Sequence, residues 1–134
     1  MRLQRFTGVR GFTMIEMLIV MTLVVILGGM SLVQYRNSVR RAEEAALKEN
    51  LFRMRDAIDQ FYADKNKYPS DLSELVSEGY VRELPVDPFT RSKDSWQTVA
   101  AEPDPNNPSA TGIFDVKSGS DRTALDGSRY ADWN

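Results

Sequence analysis

The 134-residue chain contains neither cysteine nor histidine. Disulfide bonds are therefore excluded, as are zinc sites with thiolate or imidazole ligands and catalysis that depends on a histidine base. The sequence also lacks a glycine-rich loop of the kind that cradles nucleotide phosphates. Carboxylates remain as possible catalytic groups, but no pair of them is marked by its spacing. We therefore expect that the chain is not an enzyme.

The sequence has no excess of basic residues either. Its 17 Lys and Arg are set against 19 Asp and Glu, and the formal net charge is −2. Without Arg2, Arg5, Arg10 and Glu16, 14 basic and 18 acidic residues remain. Because nucleic-acid surfaces are basic, we expect no nucleic acid among the partners.

One long apolar run is present, from residue 12 to residue 33, and Glu16 is its single ionisable residue. About 22 helical residues at 1.5 Å each are enough to cross a bilayer of about 30 Å, so the run predicts a transmembrane helix. A secretory signal peptide would have a shorter apolar core that ends in a small-x-small site. Three arginines flank the run on each side, so the positive-inside rule sets no orientation.

The helix is predicted to continue beyond the apolar run, because no proline or glycine occurs between Ser31 and Tyr62. Apolar residues recur there at spacings of 4, 3, 4 and 3, which is one face of a helix that covers a small head. They are Leu47, Leu51, Met54, Ile58 and Phe61. Two pairs of oppositely charged residues are spaced four positions apart with the acidic residue first, which is the order that stabilises a helix. They are Glu44–Lys48 and Glu49–Arg53.

The rest of the chain predicts an α+β head with a small antiparallel sheet. Tyr68-Pro69 ends the long helix, and Ser70 is the expected N-cap of a short helix that ends at Gly79. Residues 84–89 are too rich in proline for regular structure and predict a packed loop. Residues 95–100 and 113–117 predict two strands, and residues 118–134 a loop-rich tail. Four aromatic side chains are expected in the core: Trp96, Phe114, Tyr130 and Trp133.

Glu16 is the least expected residue of the apolar run. A charged side chain at the centre of a bilayer costs about 2.5–3.5 kcal/mol, so such residues usually have a partner. If the chain were cut after Gly11, Phe12 would carry a free amine four residues before Glu16 on the same helical face. The amine of one chain could then pair with Glu16 of a neighbour and set the register of a filament. Alternatively, Glu16 lies near the headgroups and simply reaches water.

The segment Gly11-Phe12-Thr13-Met14-Ile15-Glu16, after a short basic leader and before the apolar run, resembles the prepilin cleavage and methylation signature. The resemblance implies that a prepilin peptidase cuts after Gly11 and N-methylates Phe12. It also implies a cytoplasmic leader and a periplasmic head. The expected organisation is a leader at 1–11, a transmembrane and polymerisation helix at 12–33, and a head at 34–134.

The remainder resembles the major pseudopilin, or G subunit, of the type II secretion system. The resemblance rests on Lys67-Tyr68-Pro69, on Leu84-Pro85-Val86-Asp87-Pro88-Phe89, and on F-D-V-K-S-G-S-D followed by Trp133. It implies an inner-membrane protein that assembles with itself, with minor pseudopilins and with a secretion platform into a periplasmic filament. Departures are Val33, where many relatives have proline, and a longer stretch at 91–111.

The tail carries candidate ligands for a hard cation, which are Ser118, Asp121, Asp126 and Ser128. Calcium takes 6–8 oxygen ligands, and carboxylates are prominent among them. The residues alone favour a solvated loop whose aspartates form Asx-turns. The resemblance to the major pseudopilins implies instead a structural calcium ion, with Asp121 on the first acidic ligand of that family.

Two alternatives to a secretion pseudopilin remain open from the sequence. The first is a type IV pilin subunit of a surface fibre, although such subunits often have a cysteine-bounded carboxyl-terminal loop. The second is a single-pass membrane protein whose head binds a ligand and never polymerises.

Overall fold

The computed structural model describes residues 11–134, and the ten residues before them, which make up nearly all of the expected leader, lie outside this range. Its elements are helix α1 (Met14–Lys65), helix α2 (Leu72–Ser77), strands β1 (Gln97–Ala100) and β2 (Ile113–Lys117), and a short 3-10 helix (Tyr130–Asp132). The chain divides into two compact units, with the boundary between Ser38 and Val39. The predicted α+β class is confirmed.

Helix α1 runs without a break through the apolar residues and into the second unit, as its lack of proline predicts. The second unit begins at Val39, and there the helix provides one face of the core. The five apolar residues that recur along this stretch are between 0% and 2% exposed, and Ala57 is buried with them. The predicted face of α1 is therefore confirmed as the face that covers the head.

The connection from α1 to α2 differs in one detail from the prediction. The N-cap of α2 is Asp71, not Ser70, because the first helical residue is Leu72. The backbone N–H and the hydroxyl of Ser70 both donate to Glu74 Oε2, at 2.7 and 2.9 Å. These bonds lower the pKa of Glu74. Ser70 therefore stabilises the first turn of α2 from one position outside the cap.

Strands β1 and β2 form a two-stranded antiparallel sheet, in which Gln97 pairs with Lys117 and Thr98 with Val116. Ile113 and Val116 are buried in a cluster with residues of α1 and α2. Phe114 was expected in the core, but 54% of its surface is exposed. Val99 pairs with Asp115 and Ala100 with Ile113, so Phe114 lies at an irregularity of the sheet and has no partner on β1. Among the other expected core aromatics, Trp96 and Tyr130 are buried and Trp133 is partly buried.

The proline-rich loop at 84–89 is packed, as predicted. The indole Nε1 of Trp96 donates to the carbonyl of Pro85 at 2.8 Å. The ring of Phe89 stacks on Tyr130, with a centroid separation of 3.9 Å and an interplanar angle of 15°. These two contacts join the loop to the residue that precedes β1 and to the tail.

The two predicted ion pairs of α1 have different outcomes. Glu49 and Arg53 form an ion pair at 2.9 Å. The predicted pair between Glu44 and Lys48 is wrong, because Glu44 accepts hydrogen bonds from the tail instead. Lys48 lies over the ring of Trp133, with Nζ 4.9 Å from the ring centroid.

Candidate functional site

The start of α1 holds the first group of predicted site residues. Thr13 caps the helix, since its Oγ1 accepts the backbone N–H of Glu16 and its carbonyl accepts that of Met17, both at 3.1 Å. Thr-x-x-Glu is the spacing of a capping box, a signal that the sequence interpretation missed. Glu16 is therefore in the first helical turn, where the helix dipole favours a negative charge.

Gly11 and Phe12 lie before this helix, and both are exposed. Because the cap at Thr13 starts the helix at Met14, the described chain lacks the helical face that Phe12 and Glu16 were predicted to share. Cleavage after Gly11 and methylation of Phe12 stay predictions.

The apolar part of α1 is exposed along its whole length. Every residue from 11 to 33 is exposed, including Phe12 at 75% and Met14 at 86%. Among the described residues α1 is the one helix long and apolar enough to cross a membrane, with a mean hydropathy of 2.3 over its best window. A signal sequence can meet the same criteria. The helix fits a membrane-anchored, single-pass protein, because apolar surface of this extent normally contacts lipid or protein.

The second group of predicted site residues lies in the tail, where Asp126 and Ser128 come together. Asp126 Oδ1 accepts the backbone N–H of Ser128 at 2.9 Å and its hydroxyl at 2.6 Å. The hydroxyl and amide of Ser128 lower the pKa of Asp126, so this carboxylate stays ionised at neutral pH. Trp133 Nε1 in turn donates to Ser128 Oγ at 2.8 Å. This is the Asx-turn geometry that the residues alone favour, and one carboxylate oxygen of Asp126 remains outside it.

The other two predicted ligands are placed differently. Asp121 is exposed. Ser118 is fully buried, and its hydroxyl donates to Asp87 Oδ2 at 2.5 Å while it accepts the N–H of Ser120 at 3.2 Å. That hydroxyl makes one donor and one acceptor bond, and Ser118 has no exposed surface through which a cation could reach it. Across residues 11–134, no three acidic side chains come together as a metal-binding group.

Asp87 is a residue whose role the sequence interpretation missed. It is fully buried in the proline-rich loop, and its carboxylate accepts the N–H of Phe89 at 2.9 Å, the N–H of Thr90 at 3.4 Å and the hydroxyl of Ser118. Buried carboxylates require such partners. The available signal was an acidic residue between two prolines in an otherwise apolar stretch.

The tail is also bound directly to α1 by two side chains. Glu44 Oε1 accepts the backbone N–H of Leu125 at 2.9 Å and the hydroxyl of Tyr130 at 2.8 Å. Burial is the main cause that raises the pKa of Tyr130, and Glu44 adds to it. Arg55 donates to the carbonyl of Trp133 at 2.9 Å. Side chains of α1 therefore hold the middle of the tail and its carboxyl end.

Comparison with known proteins identifies a family motif at the amino-terminal end of the chain. Residues 7–32 match the family described as the prokaryotic N-terminal methylation motif, a span that contains Gly11, Phe12 and Glu16.

Two curated proteins named "Type II secretion system core protein G" are similar to the chain. The protein from Pectobacterium carotovorum subsp. carotovorum is 26% identical over 96 residues, which cover 60% of this chain and 62% of the relative. The protein from Escherichia coli (strain K12) is 24% identical over 96 residues, which cover 60% of this chain and 66% of the relative. The chain thus spans less than two thirds of the length of either relative. No solved structure matches it significantly.

The methylation motif and the similarity to core protein G coincide with a long exposed apolar helix and an α+β head. The chain is thus similar in sequence to core protein G of type II secretion, and it carries the methylation motif at the start of its apolar helix.

Proposed function

We propose that the chain is a structural pseudopilin that assembles through its amino-terminal helix into a periplasmic filament, which drives the export of proteins by type II secretion. The observation that carries the proposal is the exposed apolar surface of α1. The second unit, from Val39 onward, has its own core, and residues 11–33 take no part in it. Lipid covers such a surface before assembly, and neighbouring helices cover it in a filament.

Glu16 provides the specific contact within this assembly. A prepilin peptidase cuts after Gly11 and methylates the new amine of Phe12, which remains positively charged. That amine pairs with Glu16 of a neighbouring chain, where water is scarce and charges are weakly screened. If the leader were not removed, the carboxylate of Glu16 would lack this partner. Cleavage is therefore required for assembly.

Mass spectrometry of the protein purified from its own membrane tests the processing step. We expect a mature chain that begins at N-methylated Phe12. An intact leader, or cleavage near Met30, would exclude the pilin class and favour the non-polymerising alternative.

Replacement of Glu16 tests the assembly step. We expect Glu16→Ala to be processed normally but to form few filaments, as measured by electron microscopy and by cross-linking in cells. Glu43→Ala removes a carboxylate from the same helix outside the apolar run, and it serves as the matched control. Normal filaments from Glu16→Ala would refute the pairing mechanism.

The remaining parts of the proposal concern location and partners. The chain lies in the inner membrane with its amino end in the cytoplasm and its head in the periplasm. It works with minor pseudopilins and with an inner-membrane platform, and it catalyses no reaction of its own. The force comes from a partner ATPase. Protease added to spheroplasts tests the orientation, since digestion of the head requires a periplasmic position.

Calcium in the tail is a further part of the proposal. Asp121 and Asp126 are acidic and exposed, and Ser128 lies beside Asp126, so these three residues fit a hard-cation site. Ser118 fits less well than Ser128, because the whole residue is buried and its hydroxyl is bonded to Asp87 and Ser120. The ion would bring oxygens of the tail loop together and so order it.

Thermal unfolding of the full chain in detergent tests this site, with calcium chloride compared against a chelator. A ligand at one hundred times its Kd stabilises a fold by about 2.7 kcal/mol, which is readily measured. We expect Asp121→Ala to abolish the calcium-dependent shift and Asp94→Ala, an exposed aspartate outside the tail, to retain it. No shift, or an equal shift in Asp121→Ala, would remove calcium from the proposal.

A further inference from the structure

A cavity of about 420 Å³ lies between the end of α1 and the sheet. Three aromatic residues line it, Tyr62, Tyr68 and Phe114, and Val99 and Ala100 of β1 form part of its wall. None of these residues takes part in the filament contacts proposed above. The cavity therefore has a composition that the pseudopilin function does not explain.

The three rings form a connected cluster. Tyr62 and Tyr68 stack with centroids 4.5 Å apart and an interplanar angle of 26°. Phe114 meets Tyr68 nearly at right angles, at 88° and 5.8 Å. The rings therefore pack against one another, and all three residues also line the cavity. Phe114 is 54% exposed, so part of its ring is open to a ligand.

The charged residues that line the cavity, Glu102 and Asp104, are both acidic. By contrast, the larger cavity beside Trp133 is lined by residues of both signs, with Lys48 and Arg55 among them. Burial raises the pKa of Tyr68, and the charges of Tyr62 and Asp59 add to the effect. The cavity is therefore suited to a positive group and unsuited to an anion.

The walls of the cavity are fixed by hydrogen bonds from the loop that joins β1 to β2. Asn107 Nδ2 donates to the carbonyl of Asn66 at 3.2 Å and to the hydroxyl of Tyr62 at 3.5 Å. The N–H of Ile113 donates to the carbonyl of Pro69 at 2.8 Å. These bonds hold the loop against the end of α1, so the site exists before a ligand arrives.

We propose that this cavity binds an organic cation, either a quaternary ammonium group or the cationic side chain of a lysine or arginine presented by another protein. The faces of aromatic rings attract cations with about 0.5–1 kcal/mol at exposed sites and more where water is excluded. Glu102 and Asp104 add a negative potential at the rim. The proposal is independent of filament assembly.

Titration of the full chain in a non-ionic detergent tests the proposal. A phosphocholine detergent must be avoided, because its headgroup is itself a quaternary ammonium. Nuclear magnetic resonance of ¹³C-labelled tyrosine, assigned with Tyr62→Phe and Tyr68→Phe, follows the two rings. We expect tetramethylammonium chloride to shift both signals saturably. We also expect Phe114→Ala to weaken binding about two- to fivefold, the range that corresponds to one exposed cation–π contact. Phe52→Ala removes an exposed phenylalanine outside the cavity, and it should bind like the parent chain.

Two further sets of titrations distinguish a protein side chain from a quaternary ammonium compound, and a cation-specific contact from a merely hydrophobic one. N-acetyl-lysine methylamide and N-acetyl-arginine methylamide stand for protein side chains, and tighter binding of either than of tetramethylammonium favours a protein partner. tert-Butanol stands for a neutral group of similar shape, and sodium chloride for bulk salt. The proposal fails if no cation shifts the two tyrosines saturably. It also fails if tert-butanol binds as well as tetramethylammonium, or if Phe114→Ala binds like Phe52→Ala.

Discussion

Arg55 is the side chain whose loss should most clearly loosen the head. Its Nε donates to Asp115 Oδ1 at 2.7 Å, and its Nη2 donates to the carbonyls of Val116 and Trp133, both at 2.9 Å. One cation therefore joins α1 to β2 and to the end of the tail. The side chains of Arg55 and Asp115 are only 24% and 21% exposed.

The magnitude follows from this burial. A hydrogen bond to a charged group contributes about 1.5–3 kcal/mol, but three bonds to one guanidinium are not additive. We expect Arg55→Met to lower the free energy of unfolding by about 3 kcal/mol, because it leaves a carboxylate and two carbonyls poorly paired. Arg53, two residues earlier, offers a matched control: its ion pair with Glu49 has the same type of donor, but its side chain is 70% exposed. Arg53→Met should cost about 0.3–0.5 kcal/mol, as exposed pairs four residues apart do.

Thermal unfolding of the full chain in detergent, followed by near-ultraviolet circular dichroism of Trp96 and Trp133, distinguishes the two variants. For a unit of about 100 residues, 1 kcal/mol shifts Tm by about 4–8 °C. Arg55→Met should therefore melt at least about 12 °C below the parent chain and Arg53→Met within about 4 °C of it. Equal Tm values for the two variants would refute the reasoning that burial decides the value of these contacts.

Three further outcomes are expected from the same fold. Tyr130→Phe keeps the ring on Phe89 but loses the bond to Glu44, so thermal unfolding should show a loss of about 1.5 kcal/mol; an unchanged Tm would contradict the contact. Gly119→Ala should destabilise by about 1–3 kcal/mol in the same assay, because its Cβ would collide with the carbonyl of Ser95, whereas Gly28→Ala meets open space and should not. The hydrogen bond to Asp64 raises the pKa of Tyr80 to about 12. The stabilisation that this bond gives to the fold is therefore present below pH 10 and is lost as pH rises through 12. Ultraviolet titration should lose this late step in Tyr80→Phe, and an unchanged curve would contradict the bond.

The long helix and the two strands were predictable because their signals are local. A stretch without proline or glycine and with apolar residues every three or four positions specifies a helix with one buried face, and the part of α1 from Ser31 to Tyr62 has both features. The strands begin and end within two residues of the prediction. Whether a single aromatic side chain is buried or exposed depends less on the local sequence, because it is decided by how the strands pair. Strict alternation would place Phe114 on the same face as the buried Val116. The register shift between Val99 and Ala100 leaves Phe114 without a partner on β1, and its side chain is more than half exposed.

Some features of the predicted site residues could be inferred from the sequence, and others could not. Glu16 is conspicuous as the one charge in an apolar run, and its position in the first turn follows from the Thr13 cap. The partner of Ser118 could not be inferred, because Asp87 lies 31 residues earlier and is brought to it only by the folded loop. The prediction of an ion pair between Glu44 and Lys48 was wrong for the same reason, because a residue distant in sequence takes the place of the lysine. Tyr130, 86 residues away from Glu44, is a less exposed partner and displaced the neighbouring lysine.

The contacts of the tail limit what a calcium ion would contribute. Glu44 holds Leu125 and Tyr130, and Arg55 holds the carbonyl of Trp133. Without an ion, the segment between Ser120 and Leu125 would have its ends fixed by protein groups and its acidic side chain in solvent. Closing so short a loop costs little further entropy, so the ion would order Asp121 locally and would not dock the tail. The calcium-dependent shift in Tm should therefore be smaller than the shift caused by Arg55→Met, and the head should remain folded in chelator.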